Sequence, residues 1–350
     1  MRKPIGLAAC AALVAGMGAV ASAPAAAETP AEFYKDNVIT AILGAGPGGG
    51  YDLYARTVMS HLVKHIPGKP KYILQFMPGA GGIKAAAFVY NVAPKDGSRM
   101  AKLSNMLPAF QLLRGGVKYD VSKMNYIGRA ASMQYVTMVW HTTGVKSLDD
   151  LAKAKKPVIF GSTGLSQSNY IVPAVMQKLL GLNVKVITGY VGTASINKAL
   201  EQGEVTGRAG AWSSWISRAG RLIDSGQIVA IAQSGLEKAT DIKNGYGKPT
   251  PLLLDLAKND DDRAILKLLA SDAAIGRNFS VPPGVPKDRV KALCRAFDAT
   301  MKDPAFLAQA KQRKLIVEPK TCEWLSETAQ AIVATPKPLV IKARALLGWK

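Results

Sequence analysis

Acidic residues are scarce. The 350-residue chain carries 24 Asp and Glu against 45 Lys and Arg, a formal net charge of +21. That balance disfavours cationic ligands and suits anionic ones, although much of it serves only to keep a surface soluble. Aromatic residues are also few, 7% of the chain, and no basic run is interleaved with them, so a nucleic-acid partner is not indicated. Three cysteines are too few for a disulfide-dense scaffold. Three histidines leave little material for a metal centre or a general base. After residue 30 no stretch stays apolar for the roughly 18 residues that a membrane helix needs.

The first segment is built differently. Arg2 and Lys3 precede a run of Ala, Val and Leu, and Ala25-Ala26-Ala27 stands before Glu28. This reads as a secretory signal peptide, residues 1–27, cleaved after Ala27. A membrane anchor fits less well, because the run is short and ends in small residues. Leu7-Ala8-Ala9-Cys10 resembles a lipoprotein box, but the apolar run continues to about Val20. Cleavage leaves Cys294 and Cys322, and export permits a disulfide between them. Two separate buried thiols are the alternative.

Apolar runs and glycine loops alternate along the rest. Val38 to Gly46, Tyr72 to Met77 and Arg99 to Ser104 read as strands, with helices between them. Ser147-Leu148-Asp149-Asp150 looks like a capping box opening a helix. Strands are expected at Pro157–Gly161, Val184–Thr188, Val205–Ala209 and Ile228–Ser234, and helix across the charged residues 240–270. The pattern is that of an α/β protein with open sheets flanked by helices, binding ligands at the carboxyl ends of the strands. The length suits two lobes. Segments near 127–140 and 275–281 are the expected crossings, so residues 28–132 with 276–350 form one lobe and 133–275 the other. The C-terminal helices are expected to pack back on the first lobe.

Two glycine loops decide between chemistries. In "ILGAGPGGGYD", residues 42–52, Gly44, Gly46 and Gly49 match the dinucleotide fingerprint. That site also needs an acid at the end of the second strand. No Asp or Glu stands between Leu53 and Lys95, and the second strand ends in Phe76-Met77-Pro78. A dinucleotide-dependent oxidoreductase is therefore the least favoured reading. The alternative takes "PGGGYD" with "PGAGG", residues 78–82, as paired anion loops. Glycine lets backbone N–H groups approach a ligand, and helix N-termini add partial positive charge. Asp52 is expected to be the N-cap that braces the first loop. Ala80 suggests that the middle of the second loop does not need glycine's freedom.

These motifs carry a resemblance. "PGGGYDLYAR", "MPGAGG" and "APKDG", then "GYVGTASINKALEQGEV" and "PPGVPKDRVKAL", are similar to the tripartite tricarboxylate transporter receptors, the Bug-type periplasmic binding proteins. The likeness spans nearly the whole chain after the signal peptide. It implies a two-lobed Venus-flytrap fold in the periplasm, with a small carboxylate in the interlobe cleft, di- and tricarboxylates included. Inner-membrane transporter subunits are the implied partners, with no cofactor, no metal and a monomeric state. By position, Gly48, Gly49, Gly50, Tyr51 and Asp52 would grip one carboxylate together with Gly79, Ala80, Gly81 and Gly82. Ser104 and Asn105, at the end of the third strand, join the candidate ligand-binding set. The second lobe would add Ser162, Thr163, Ser166, Tyr190, Gly192 and Thr193. The family often has an acid where Thr206-Gly207-Arg208 stands here. Arg208 is either a solvated surface arginine or the partner of a second ligand carboxylate.

Other chemistry finds less support. His61 and His65 share a helix face with Lys64, which reads as solvated rather than metal-binding. An exported α/β hydrolase using cleft serines is the alternative function, but no G-x-S-x-G elbow is present. Trp212 and Trp215 fit a cleft or a core equally well.

Overall fold

The computed structural model describes residues 28–165 and 167–349. The expected signal peptide, its cleavage site and Ser166 lie outside the described residues.

Among the described residues ten strands form two sheets of five. The first holds β1 (Val38–Leu43), β2 (Lys71–Phe76), β3 (Arg99–Lys102), β4 (Asn125–Arg129) and β10 (Asn278–Val281), in the order β2-β1-β3-β10-β4. The second holds β5 (Tyr135–Trp140), β6 (Val158–Ser162), β7 (Val184–Thr188), β8 (Gly207–Ala211) and β9 (Ile228–Ser234), in the order β7-β6-β8-β5-β9. β1 pairs in parallel with β2 and β3, and β6 with β7 and β8. β10 and β5 run antiparallel to both of their neighbours.

Both faces of each sheet are covered, so the strands read as near-continuous apolar runs. Side chains alternate between the faces. Ile39, Ala41 and Leu43 enter one core with Val58, Leu62 and Phe297, while Ile42 enters another with Val89 and Phe110. Val136 and Met138 likewise pack beside Trp215, and Val139 packs beside Phe160. Trp215 is fully buried, and its Nε1–H donates to the Val136 carbonyl at 3.0 Å. Among the described residues no helix is long and apolar enough to cross a membrane.

The chain passes between sheets twice. It leaves β4 at Arg129 and enters β5 at Tyr135, and it returns to β10 at Asn278. The two passages lie side by side: Ala130 N–H donates to the Arg277 carbonyl at 3.0 Å and Arg277 N–H to the Ala131 carbonyl at 2.8 Å. Gly276 has φ +46, and a Cβ there would sit 2.2 Å from the Ala131 carbonyl oxygen. Only glycine fits that approach.

β5 and β10 lie within the segments read as crossings. Two expectations are corrected. In the 240–270 region only Asp260–Leu269 is α-helical, after a 3-10 turn at Leu253–Leu256, and Lys243 instead bridges antiparallel to Pro249. The final helix, Lys337–Leu347, packs against Asp260–Leu269 and Ser168–Lys178 as well as Leu107–Leu113, so the C-terminal helices do not keep to one sheet. Cys294, on helix Lys287–Lys302, is paired with Cys322 of helix Cys322–Val333, their Cα atoms 6.0 Å apart.

Candidate functional site

Residues just beyond the carboxyl ends of β1, β2 and β3 face those beyond β6, β7 and β8 across a cavity of about 300 Å3. Of the sequence-predicted residues, Tyr51, Gly81, Ser104, Asn105, Thr193 and Arg208 meet there. Gly48, Gly49, Gly50 and Asp52 line an adjoining space of about 360 Å3, with Arg218, Arg277 and Arg313. Tyr51 borders both spaces.

The first loop leads into helix Gly50–His65, which buries Tyr54, Ala55, Val58, Met59 and Leu62. Asp52 is not its N-cap. Gly49 holds that position in extended conformation, and Asp52 stands at the third helical residue. Its Oδ2 accepts the Gly48 N–H at 2.8 Å and its Oδ1 pairs with Arg56 at 2.6 Å. The brace is therefore real, though it reaches backwards from inside the helix. A charged acceptor near a helix N-terminus is favoured by the dipole as well. Asp52→Ala is expected to cost about 0.5 to 2 kcal/mol of stability and to loosen the loop. Denaturant unfolding of the variant without ligand measures this, and unchanged stability would discard the brace.

The second loop has four successive residues at positive φ: Gly79 (144), Ala80 (48), Gly81 (68) and Gly82 (97). Ala80 thus adopts the left-handed conformation after all, against the reading of its side chain as evidence of an ordinary backbone. The four residues make a tight turn, with Gly82 N–H on the Gly79 carbonyl at 2.9 Å, before helix Ile83–Asn91 begins. A Cβ at Gly82 would lie 2.7 Å from that of Ser104, so this loop abuts the end of β3. Gly79 and Ala80 do not line the cleft cavity; Gly81 does.

Ser162, Thr163, Tyr190 and Gly192 do not line this cavity. Ser162 is fully buried, donating to Asn169 Oδ1 at 2.9 Å, and the Thr163 hydroxyl bonds the same amide. Tyr190 donates to Glu204 at 2.6 Å outside the cavity, and Gly192 caps helix Thr193–Glu201. Their places at the cleft go to Gln167, Ser168 and Asn169, which sequence reasoning missed. Among the described residues no histidine lines the cavity. His61 is buried rather than solvated: its Nε2 lies 3.1 Å from Gln309 Oε1, while His65 meets Asp303 at 2.9 Å. Among the described residues no group of three or more His, Cys, Asp or Glu could hold a metal ion.

Beneath the cavity lies a buried polar hub. The Tyr51 hydroxyl donates to Asn105 Oδ1. Asn105 Nδ2 reaches the Asp272 carbonyl at 3.0 Å, and Ser168 Oγ donates to the Asp272 carboxyl at 2.8 Å. Burial pushes the Asp272 carboxyl up to about 6, against the opposing pull of hydrogen bonds from Ser168 and Tyr135. Lys102 Nζ sits 3.9 Å from the centre of the Tyr51 ring and donates to the Leu103 carbonyl. Burial, and then Arg277, hold that amine well below its usual range. Arg277 itself stacks over Tyr51 and Tyr54 at 5.1 and 4.8 Å. Nothing in the sequence distinguished Lys102, Arg277 or Asp272 from surface charges.

Arg208 is not a surface arginine. It is 2% exposed, its guanidinium carbon stands 3.5 Å from the centre of the Trp215 ring, and it lines the cavity as its one charged side chain among the described residues. Burial, with repulsion from Arg218, brings its pKa down to about 9, so it remains cationic at neutral pH.

Two five-stranded sheets flanked by helices, with a cleft at their facing carboxyl ends, have close counterparts among solved structures. The periplasmic binding protein BugD superposes with a TM-score of 0.64 over 88% of this chain and 98% of its own, at 18% identity. This is the fold of a two-lobed periplasmic binding protein. The same binding-protein fold is seen in R. palustris Rpa4515 with adipate (TM-score 0.64, 16% identity, 89% and 98% covered). It recurs in MatC from Rhodopseudomonas palustris with bound malate (0.63, 16%, 89% and 99%). No family profile and no curated protein sequence matches the chain.

Proposed function

We propose that the protein is an exported receptor that captures a small carboxylate in the cleft and delivers it to a membrane transporter. The observation that carries this reading is the charge of the cavity. Its lining includes one cation, Arg208, and no acid. A cation buried without a counter-charge is costly, and a bound anion offsets that cost. The two binding proteins of this fold named with adipate and malate support the same ligand class. Gly81 of the second loop borders the same cavity as Arg208, and Gly48, Gly49 and Gly50 of the first border the space that adjoins it at Tyr51; backbone donors at such loops suit a carboxylate. Closure excludes water and strengthens every such bond.

A thermal-shift screen of mono-, di- and aromatic carboxylates tests the reading. Saturation at about 100 times Kd adds ~2.7 kcal/mol of stability. If no carboxylate raises the melting temperature while a neutral sugar or a cation does, the proposal is wrong.

Gly81 provides a second check. A Cβ there would lie 3.2 Å from the Phe110 ring, at a backbone φ of +68 that a β-branched residue rarely adopts. Gly81→Val is expected to weaken carboxylate binding by ~10-fold or more, ~1.4 kcal/mol. Unaltered affinity in a folded variant would place the ligand away from the second loop.

A further inference from the structure

Arg208 carries more than a charge. Its Nε and Nη2 have no hydrogen-bond partner, although both are sealed from solvent. Buried donors are almost always satisfied, so two orphans on one guanidinium call for a reason. Two neighbours hold this guanidinium in place without bonding Nε or Nη2. Trp215 forms a flat shelf beneath it, and Trp215 is itself pinned by its bond to the Val136 carbonyl. Gly210 leaves the notch in which it sits, since a Cβ there would come within 2.3 Å of Nη1. Among the described residues no acid pairs with it. The charged neighbour that acts on it is another cation, Arg218, whose Nη2 donates to the Gly48 carbonyl of the first glycine loop at 3.1 Å.

We propose that Arg208 selects dicarboxylates, its planar fork bonding the second carboxylate of a ligand whose first is held by the glycine loops. This rests on the receptor reading above and narrows its ligand class. A carboxylate matches the guanidinium in plane and spacing, so two parallel bonds form at once. An ammonium would serve as a point charge only. The loops then specify a carboxylate, and Arg208 demands a second one at the far end. Trp215 and Gly210 are positioning residues that keep the fork flat and in place.

The test is calorimetric titration with succinate, glutarate and adipate, each against the monoacid of the same length. Wild type, Arg208→Gln and Arg208→Lys are compared. The wild type is expected to prefer at least one diacid by ~30-fold or more, about 2 kcal/mol. Arg208→Gln loses that preference, its diacid affinity falling far more than its monoacid affinity, and its circular dichroism spectrum shows that the fold is intact. Arg208→Lys keeps the charge but loses most of the preference. That arm decides the matter even if the glutamine variant fails to fold. Full diacid preference in Arg208→Lys overturns the fork, and equal losses for both ligand types overturn the assignment to Arg208. Binding of monoacids with no diacid preference in the wild type also overturns it, yet leaves the receptor reading standing. Binding of no carboxylate overturns both.

Discussion

Asp272→Asn is expected to make the protein more stable at neutral pH, by about 3 kcal/mol, and to flatten its pH dependence below. The folded carboxyl titrates at about 6, whereas an unfolded aspartate titrates near 3.9. A raised folded pKa means that the folded state holds the proton more tightly. The associated stability is fully present below about pH 4 and is lost as pH rises through about 6. A shift of about two units corresponds to about 3 kcal/mol. Asparagine stays neutral and can still accept the Ser168 hydroxyl and offer its carbonyl to Asn105. Urea unfolding of wild type and variant across this pH range measures the difference. The curves should converge near pH 4 and separate by pH 7. A variant less stable than wild type at pH 7 would mean that the carboxylate is held there by a charge partner. Lys102 and Arg277 are the cations closest to that role, both meeting the hub at Tyr51.

The second large effect concerns Cys294 and Cys322. They are separated by 28 positions, and the pair joins helix Lys287–Lys302 to helix Cys322–Val333. In the chain-entropy account, a cross-link closing a loop of this length removes about 3 to 4 kcal/mol of freedom from the unfolded state. Both helices pack on β4. The double substitution to serine, or treatment with a reductant, is therefore expected to lower stability by about that amount. Ligand affinity should stay nearly unchanged, because neither cysteine borders the cleft. Intact mass with and without thiol alkylation establishes the bond first. Indistinguishable unfolding curves for oxidised and reduced protein would show that the cross-link constrains nothing.

The parallel parts of the fold were legible because their strands end in glycine loops and begin as apolar runs. β1, β2, β6 and β7 all carry that signature. β10 does not: Asn278 and Ser280 alternate with Phe279 and Val281, yet all four are buried. Buried polar residues on a short strand look like a turn to any hydropathy reading. β5 was hidden for the opposite reason, being an apolar segment with no glycine loop to mark its end. The site shows the same division. Glycine and its neighbours announced the first-lobe loops, whereas Asp272 looked like an ordinary residue of a helix's first turn. Asn169, which occupies Ser162 and Thr163 and so removes them from the cleft, carried no signal at all. Arg208 was visible only as a departure from a resemblance, and its burial could not be read from composition in a chain so rich in cations.

The order β2-β1-β3-β10-β4 also governs when this protein can come into being. β4 touches the rest of its sheet only through β10, which lies almost 150 residues further along. Until that late strand arrives, the free edges of β3 and β4 present unpaired backbone donors and acceptors. The other sheet has no such debt, since its five strands follow one another between Tyr135 and Ser234. In a chain that folds from its amino end, the sheet of β5 to β9 can be completed while the sheet of β1 to β4 still lacks β10. An unfinished edge of that kind is what a holding chaperone recognises. Synthesis, rather than the finished fold, is then the stage at which this chain is most exposed to aggregation.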